Sequence, residues 1–173
     1  MDQDLRDFIR QLEEDGEIKH VTEQVAREYE ISTLMMDLEK KQQYPVVMFE
    51  KVENSEFPVI TNLLAPRERL AKAMGVEPAH ISEEYGRRIK NRIESKLEND
   101  PPFAAHCITG DDIDLYKLPI LTHFPIDAGP YITSGLCVAK DPETGAETLG
   151  YHRMQLKSKN KLAISLHSRQ RLT

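Results

Sequence analysis

The stretch YITSGLCVAKDPETGAETLGYHRMQLKSKNKLAISLH, residues 131–167, decides the fold. Residues 131–139 are rich in small and β-branched side chains, the composition of a strand. The run Asp141-Pro142-Glu143-Thr144-Gly145 puts proline second and glycine last, a tight-turn signature. Residues 147–156 then return, Lys159-Asn160-Lys161 turns again, and residues 162–167 make a third strand. The expectation is an antiparallel meander. A sheet this small exposes one face and at least one edge unless further chain covers it. Residues 103–173 therefore read as the start of a β domain, and the chain as the opening part of something larger.

Immediately upstream, LPILTHFPIDAGPYIT (residues 118–133) is punctuated by proline and glycine, and residues 103–108 are apolar enough for a strand. Gly129-Pro130 and Gly135 fit positions of tight backbone geometry. Residues 1–102 have a different texture. Leu5, Phe8, Ile9 and Leu12 recur at helical spacing, with Asp2 as a cap candidate and Gly16 as the stop. Residues 29–42 repeat the pattern through Ile31, Leu34, Met35 and Leu38. Short apolar runs at 18–21, 46–49 and 58–64 read as strands, and a helix follows Pro66 and ends at Gly75. A last, highly charged helix is expected over 82–98, ended by Asp100-Pro101-Pro102 because the residue before proline avoids the helical region. Helices interleaved with strands make residues 1–102 an α/β domain, so the class is α+β.

With 39% hydrophobic and 30% charged residues the chain reads as globular, and no apolar run approaches the roughly 20 residues of a membrane span. Residues 1–20 lack the basic start and apolar core of a signal peptide. Cys107 and Cys137 fit no metal or redox spacing and read as reduced thiols of a cytoplasmic protein, with a disulfide between them as the lesser alternative. The charge is uneven. Residues 1–102 carry 15 Lys/Arg against 22 Asp/Glu (net −7), and residues 103–173 carry 8 against 7 (net +1), giving −6 in total. An acidic body argues against nucleic acid as the partner. From Arg153 onward there are six cations (Arg153, Lys157, Lys159, Lys161, Arg169, Arg171) and no carboxylate. They suit one small anion, a phosphate or carboxylate; a lysine-studded strand edge is the alternative.

Alternation along 147–156 sets Leu149, Tyr151, Arg153 and Gln155 on one face, with Gly150, His152, Met154 and Leu156 on the other. A guanidinium in mid-strand cannot shed its charge, so Arg153 requires either an anionic ligand or a protein carboxylate. His152 and His167 fall on adjacent strands, a weak metal signal without a third ligand. Ser165 and Ser168 have no nucleophile-elbow context, and neither a GxGxxG nor a phosphate-loop lysine is present.

Taken together, Leu118-Pro119-Ile120-Leu121-Thr122-His123, Asp127-Ala128-Gly129-Pro130-Tyr131-Ile132-Thr133, Asp141-Pro142-Glu143-Thr144-Gly145, Gly150, Arg153-Met154-Gln155 and Lys159-Asn160-Lys161-Leu162 resemble the UbiD family, the prenylated-FMN-dependent reversible decarboxylases. The likeness is dense over residues 100–173 and looser before them. It implies an N-terminal α/β domain followed by the first strands of a split β-barrel like those of flavin reductases. It implies a lyase that removes CO2 from an aromatic, heteroaromatic or α,β-unsaturated carboxylic acid. The implied cofactors are prenylated FMN, Mn2+ (or Mg2+) and K+, and a homo-oligomer is implied for the full-length enzyme. By the same resemblance Arg153 is the catalytic arginine that binds the substrate carboxylate, and Thr148, Leu149, Gly150, Tyr151, His152 and Arg153 form the first cofactor-binding segment. Ser165, Leu166 and His167 form the second, and Gln170 and Arg171 the third. Thr148 stands where the family carries a metal-binding Asn, and its hydroxyl is a weaker ligand than an amide oxygen. Ser168-Arg169-Gln170-Arg171 departs from the glycine-containing pattern of some members. The family's remaining metal-binding Glu and catalytic acids fall beyond residue 173, so the chain as given is expected to be catalytically incomplete. Two other readings stand beside this one: a non-catalytic flavin-binding subunit completed by a partner chain, and a plain split-barrel flavin oxidoreductase.

Overall fold

A computed structural model describes residues 4–91, 93 and 98–165 of the 173. The first helix, α1 (Leu5–Glu14), is capped by Asp4, whose carboxylate accepts from the Arg6 amide at 2.7 Å. Asp4 thus takes the capping role expected of Asp2, which lies outside the described residues. Strand β1 (Ile18–Val25) pairs in parallel with β2 (Val46–Val52), and α2 (Glu30–Lys40) makes the crossover between them. Strand β3 (Val59–Thr61) adds antiparallel to β2, giving the order β1-β2-β3.

The alternation of β2 explains how this sheet is covered. Val47 and Phe49 point to one face and pack with Ile31, Leu34, Met35 and Leu38 of α2. Val46 and Met48 point to the other and meet Phe8, Ile9 and Leu12 of α1. Phe49, Leu12 and Val46 are completely buried, each contributing about 1.5–3 kcal/mol through its removal from water. Helix α3 (Arg67–Met74) ends at Gly75, whose φ of 68° is left-handed and favours glycine.

Two expectations fail in the connecting region. Helix α4 (Ile81–Lys90) stops at Lys90 and does not run to residue 98. Its end is set by Asn91, whose side-chain amide donates to the Arg87 carbonyl at 2.8 Å, competing with the backbone for the last turn. Residues 103–108 are not a strand, because Pro102–His106 forms a 3-10 helix. Proline at its start presets the backbone dihedral, and the Ala104 amide closes the turn on the Pro101 carbonyl at 2.9 Å. Phe103 and Ile108 are left exposed.

Strands β4 (Tyr131–Lys140), β5 (Glu147–Ser158) and β6 (Lys161–Ile164) form the expected antiparallel meander in the order β4-β5-β6. Asp141 builds the first turn by accepting from the Glu143 and Thr144 amides at 2.8 and 3.0 Å. Those amide donors, Thr144 first, hold its carboxyl below the usual range.

Arg27 ties the two sheets together. Its guanidinium donates to the backbone carbonyls of Glu53, Asn54, Tyr116 and Leu118. Thr122 is buried beside it, its amide donating to the Arg27 carbonyl and its carbonyl accepting from the Tyr29 amide. One residue earlier, the Leu121 carbonyl accepts from the Tyr131 amide, so the stapled segment leads directly into β4.

Candidate cofactor and anion site

The β4–β5 ladder runs without interruption from Lys140↔Glu147 to Gly135↔His152, so the alternation of residues 148–152 is strict, and the pairing resumes at Ile132↔Met154. Leu149, Tyr151 and Arg153 share one face. Their partners across the ladder, Val138 and Leu136, share it too. This face is open: Leu136 is 53% exposed, Val138 71%, Leu149 61% and Tyr151 75%. Four large apolar side chains thus form a continuous platform facing water, an arrangement that marks a ligand or partner surface.

Arg153 stands at one end of that platform. It is exposed and makes no hydrogen bond or ion pair among the described residues. Among the described residues nothing covers the face over Leu149, Tyr151 and Arg153. The alternative of a fixed salt bridge to a protein carboxylate is not realised among them either. What the sheet presents is a cation whose donors have no partner among the described residues, beside an apolar floor.

The register also holds a feature that sequence reasoning missed. Pairing jumps from Ile132↔Met154 to Gly135↔His152, so Thr133 and Ser134 together oppose Arg153. This is a β-bulge, a device that bends a strand and re-aims a side chain. Its only trace in the sequence is Gly135, where a Cβ would overlap the Met154 methyl group. On the other side, Ile164 pairs with Met154, which brings Ser165 to the register position of Arg153. Three hydroxyl-bearing residues therefore flank the guanidinium in sequence register.

The other expected site residues divide. Thr148, Gly150 and His152 lie on the face opposite Arg153. His152 is buried, and its imidazole covers Gly150 so closely that a Cβ there would meet Nε2 at 2.9 Å. Thr148 is half-buried opposite Ala139. Among the described residues no group of three or more His, Cys, Asp or Glu could hold a metal ion. Leu166, His167, Gln170 and Arg171 lie outside the described residues.

Of the cations beyond Arg153, Lys159 is occupied structurally: its ammonium donates to the Asp111 carbonyl at 3.0 Å, and its carbonyl accepts from the Leu115 amide at 2.6 Å. Lys157 and Lys161 are exposed, as edge lysines are. A separate cavity of about 400 Å³ lies between α2 and residues 121–124, lined by Ile31, Met35, Tyr44, Leu121, His123 and Phe124. It contains none of the expected site residues. An apolar platform ending in a guanidinium that has no partner among the described residues fits a flat ring system next to a carboxylate or phosphate.

Comparison with known proteins identifies the family and the fold. Residues 9–89 match the family model of the 3-octaprenyl-4-hydroxybenzoate carboxy-lyase N-terminal domain. Residues 95–173 match that of the 3-octaprenyl-4-hydroxybenzoate carboxy-lyase Rift-related domain. An evolved dimeric form of the UbiD-class enzyme HmfF from Pelotomaculum thermopropionicum, in complex with prFMN, superposes with a TM-score of 0.85 at 34% identity, covering 96% of this chain and 39% of that one. Klebsiella pneumoniae 3,4-dihydroxybenzoic acid decarboxylase (AroY) superposes at a TM-score of 0.80 and 24% identity over 98% of this chain and 38% of its own. Sedimentibacter hydroxybenzoicus vanillic acid decarboxylase gives 0.82 at 23% identity over 97% of this chain and 38% of its own. At that identity the last two likenesses speak for the fold alone. The chain spans about two fifths of the length of these structures.

Proposed function

The chain belongs to the UbiD family, and on that premise we propose that it carries the flavin platform and the substrate-binding arginine of a carboxy-lyase. The substrate class is an aromatic, heteroaromatic or α,β-unsaturated carboxylic acid. The observation that supports the reading is the open strip of Leu136, Val138, Leu149 and Tyr151 ending in Arg153, which has no partner among the described residues. That strip fits a flat isoalloxazine ring, and the Pelotomaculum relative is a complex with prFMN. The division into residues 1–102 and 103–173 belongs to the same proposal, with further strands closing the second part into a split barrel over this face. So does assembly from several copies, by analogy with the dimeric form of that relative. Cys107 and Cys137 are free thiols, in keeping with a cytoplasmic setting.

In this mechanism the residues of the chain bind and orient. The planar fork of Arg153 takes both oxygens of the substrate carboxylate, which aligns the bond to be broken over the apolar floor. Once further strands and the ring cover Leu149, Val138 and Tyr151, water leaves that floor, and the lowered dielectric strengthens the contact to Arg153. Prenylated FMN supplies, when bound, an electron sink for the sp² carbanion left by loss of CO2.

The test is Arg153→Ala in the full-length enzyme. Two charge-assisted hydrogen bonds at about 1.5–3 kcal/mol each imply a loss of at least about a hundredfold in kcat/KM. The flavin, read by absorbance and mass, stays bound. Turnover near that of the unaltered enzyme removes Arg153 from the role.

A further inference from the structure

The platform closes abruptly beyond Arg153. Tyr151 and Arg153 are exposed, whereas the next residue on their face, Gln155, is only 8% exposed. The material covering it is the segment of Ala128, Gly129 and Pro130. Gln155 Nε2 donates to the Ala128 carbonyl at 2.6 Å, and the Leu156 amide donates to the Pro130 carbonyl at 3.0 Å. Gly129 has φ 133°, a conformation favouring glycine, and a Cβ there would lie 3.5 Å from Gln155 Nε2. Burial of an amide is unfavourable without such a bond, so a glutamine here calls for a reason beyond packing. Residues two apart on an extended strand lie about 7 Å from one another, close enough for what Gln155 holds to border a ligand on Arg153.

We infer that Gln155 is a positioning residue: it clasps Ala128 so that residues 128–130 form the end wall of the anion site, against which a carboxylate bound to Arg153 is seated. The inference rests on the proposed role of Arg153 and adds the residue that sets the depth of its site. The two backbone contacts, Leu156 to Pro130 and Tyr131 to Leu121, survive any change at residue 155. Among the described residues the side-chain clasp is the one hydrogen bond that holds Ala128.

The experiment uses the full-length flavin-loaded protein, with benzoate as the carboxylate probe, and two variants. Gln155→Met keeps the volume and loses the donor. It is expected to speed amide hydrogen exchange in the peptide spanning residues 124–131 and to weaken benzoate about tenfold, the value of one lost hydrogen bond. Gln155→Glu loses the donor only while ionised. Its benzoate affinity is therefore expected to recover on acidification, as the protonated carboxyl again donates to Ala128, and a merely structural role would not give that pH dependence. Faster exchange with unchanged affinity overturns the inference, as does unchanged exchange. Where Gln155→Met fails to fold, the pH profile of Gln155→Glu decides, and a flat profile overturns it. An unaltered protein that binds no benzoate removes the reading of Arg153 and this one with it, whereas binding that ignores both variants removes this one alone.

Discussion

Substituting Arg69 by methionine tests the polar knot that joins α3 to the first sheet. Arg69 is 6% exposed and spends its donors on three acceptors: Glu17 Oε2 at 2.9 Å, the Asn62 carbonyl, and the Tyr44 carbonyl at 2.7 Å. Lys72 shares Glu17 and also reaches Asp15 at 2.7 Å. Lys72 first, then Arg69, hold the Glu17 carboxyl below its usual range against the opposing effect of burial. Methionine keeps the apolar stem and removes the guanidinium, leaving two carbonyls without their donor at about 1 kcal/mol each. Glu17 contributes under about 1 kcal/mol more, since its side chain is 31% exposed and it retains Lys72. The total is about 2–3 kcal/mol, or about 5–10 °C in thermal midpoint for a domain of this size. Urea and thermal unfolding followed by circular dichroism measure it. In the double variant Arg69→Met, Glu17→Gln, the two losses should fall short of additivity, because each removes the same contact. A midpoint within 2 °C of the unaltered protein, or strictly additive losses, would refute this account of the knot.

Two further predictions concern α1 and α3. His20 donates toward Glu13 of α1 at 3.0 Å and Glu50 of β2 at 2.8 Å, and these carboxylates, Glu13 first, raise its pKa. A raised folded pKa stabilises fully below the unfolded value of about 6.5 and ceases to do so as pH climbs through the folded value. The stability gap between the unaltered protein and His20→Gln should therefore narrow from pH 6 to pH 8, with the imidazole titration read by NMR; a gap that widens reverses the sign and the argument. Gly75→Ala should cost about 1–2 kcal/mol in urea unfolding, because its φ of 68° is left-handed while nothing lies within 4 Å of the added methyl. A neutral result would mean that the α3 cap relaxes out of that conformation.

Periodicity made much of the architecture legible. Spacings of three and four placed α1 and α2, the glycine after Met74 ended α3, and the turn around Asp141 announced the β4–β5 hairpin. Errors fell where local chemistry overrode pattern. The apolar run at 103–108 has strand composition, yet Pro101-Pro102 commits the backbone to a 3-10 helix. The charged helix after residue 81 keeps its periodicity past Lys90, yet Asn91 turns its amide back on Arg87.

For the site, alternation alone put Leu149, Tyr151, Arg153 and Gln155 on one face, because the period of a strand is a local property of the chain. Three things needed the tertiary structure. The bulge that sets Thr133 and Ser134 against Arg153 is a matter of register between strands, which no single strand encodes. The clasp of Gln155 on Ala128 joins residues 27 positions apart. The staple of Arg27 on Tyr116 and Leu118 spans 89 and 91 positions. Side-chain direction follows from neighbouring peptide units, whereas which carbonyl meets which donor is decided only once the packed core has brought distant segments together.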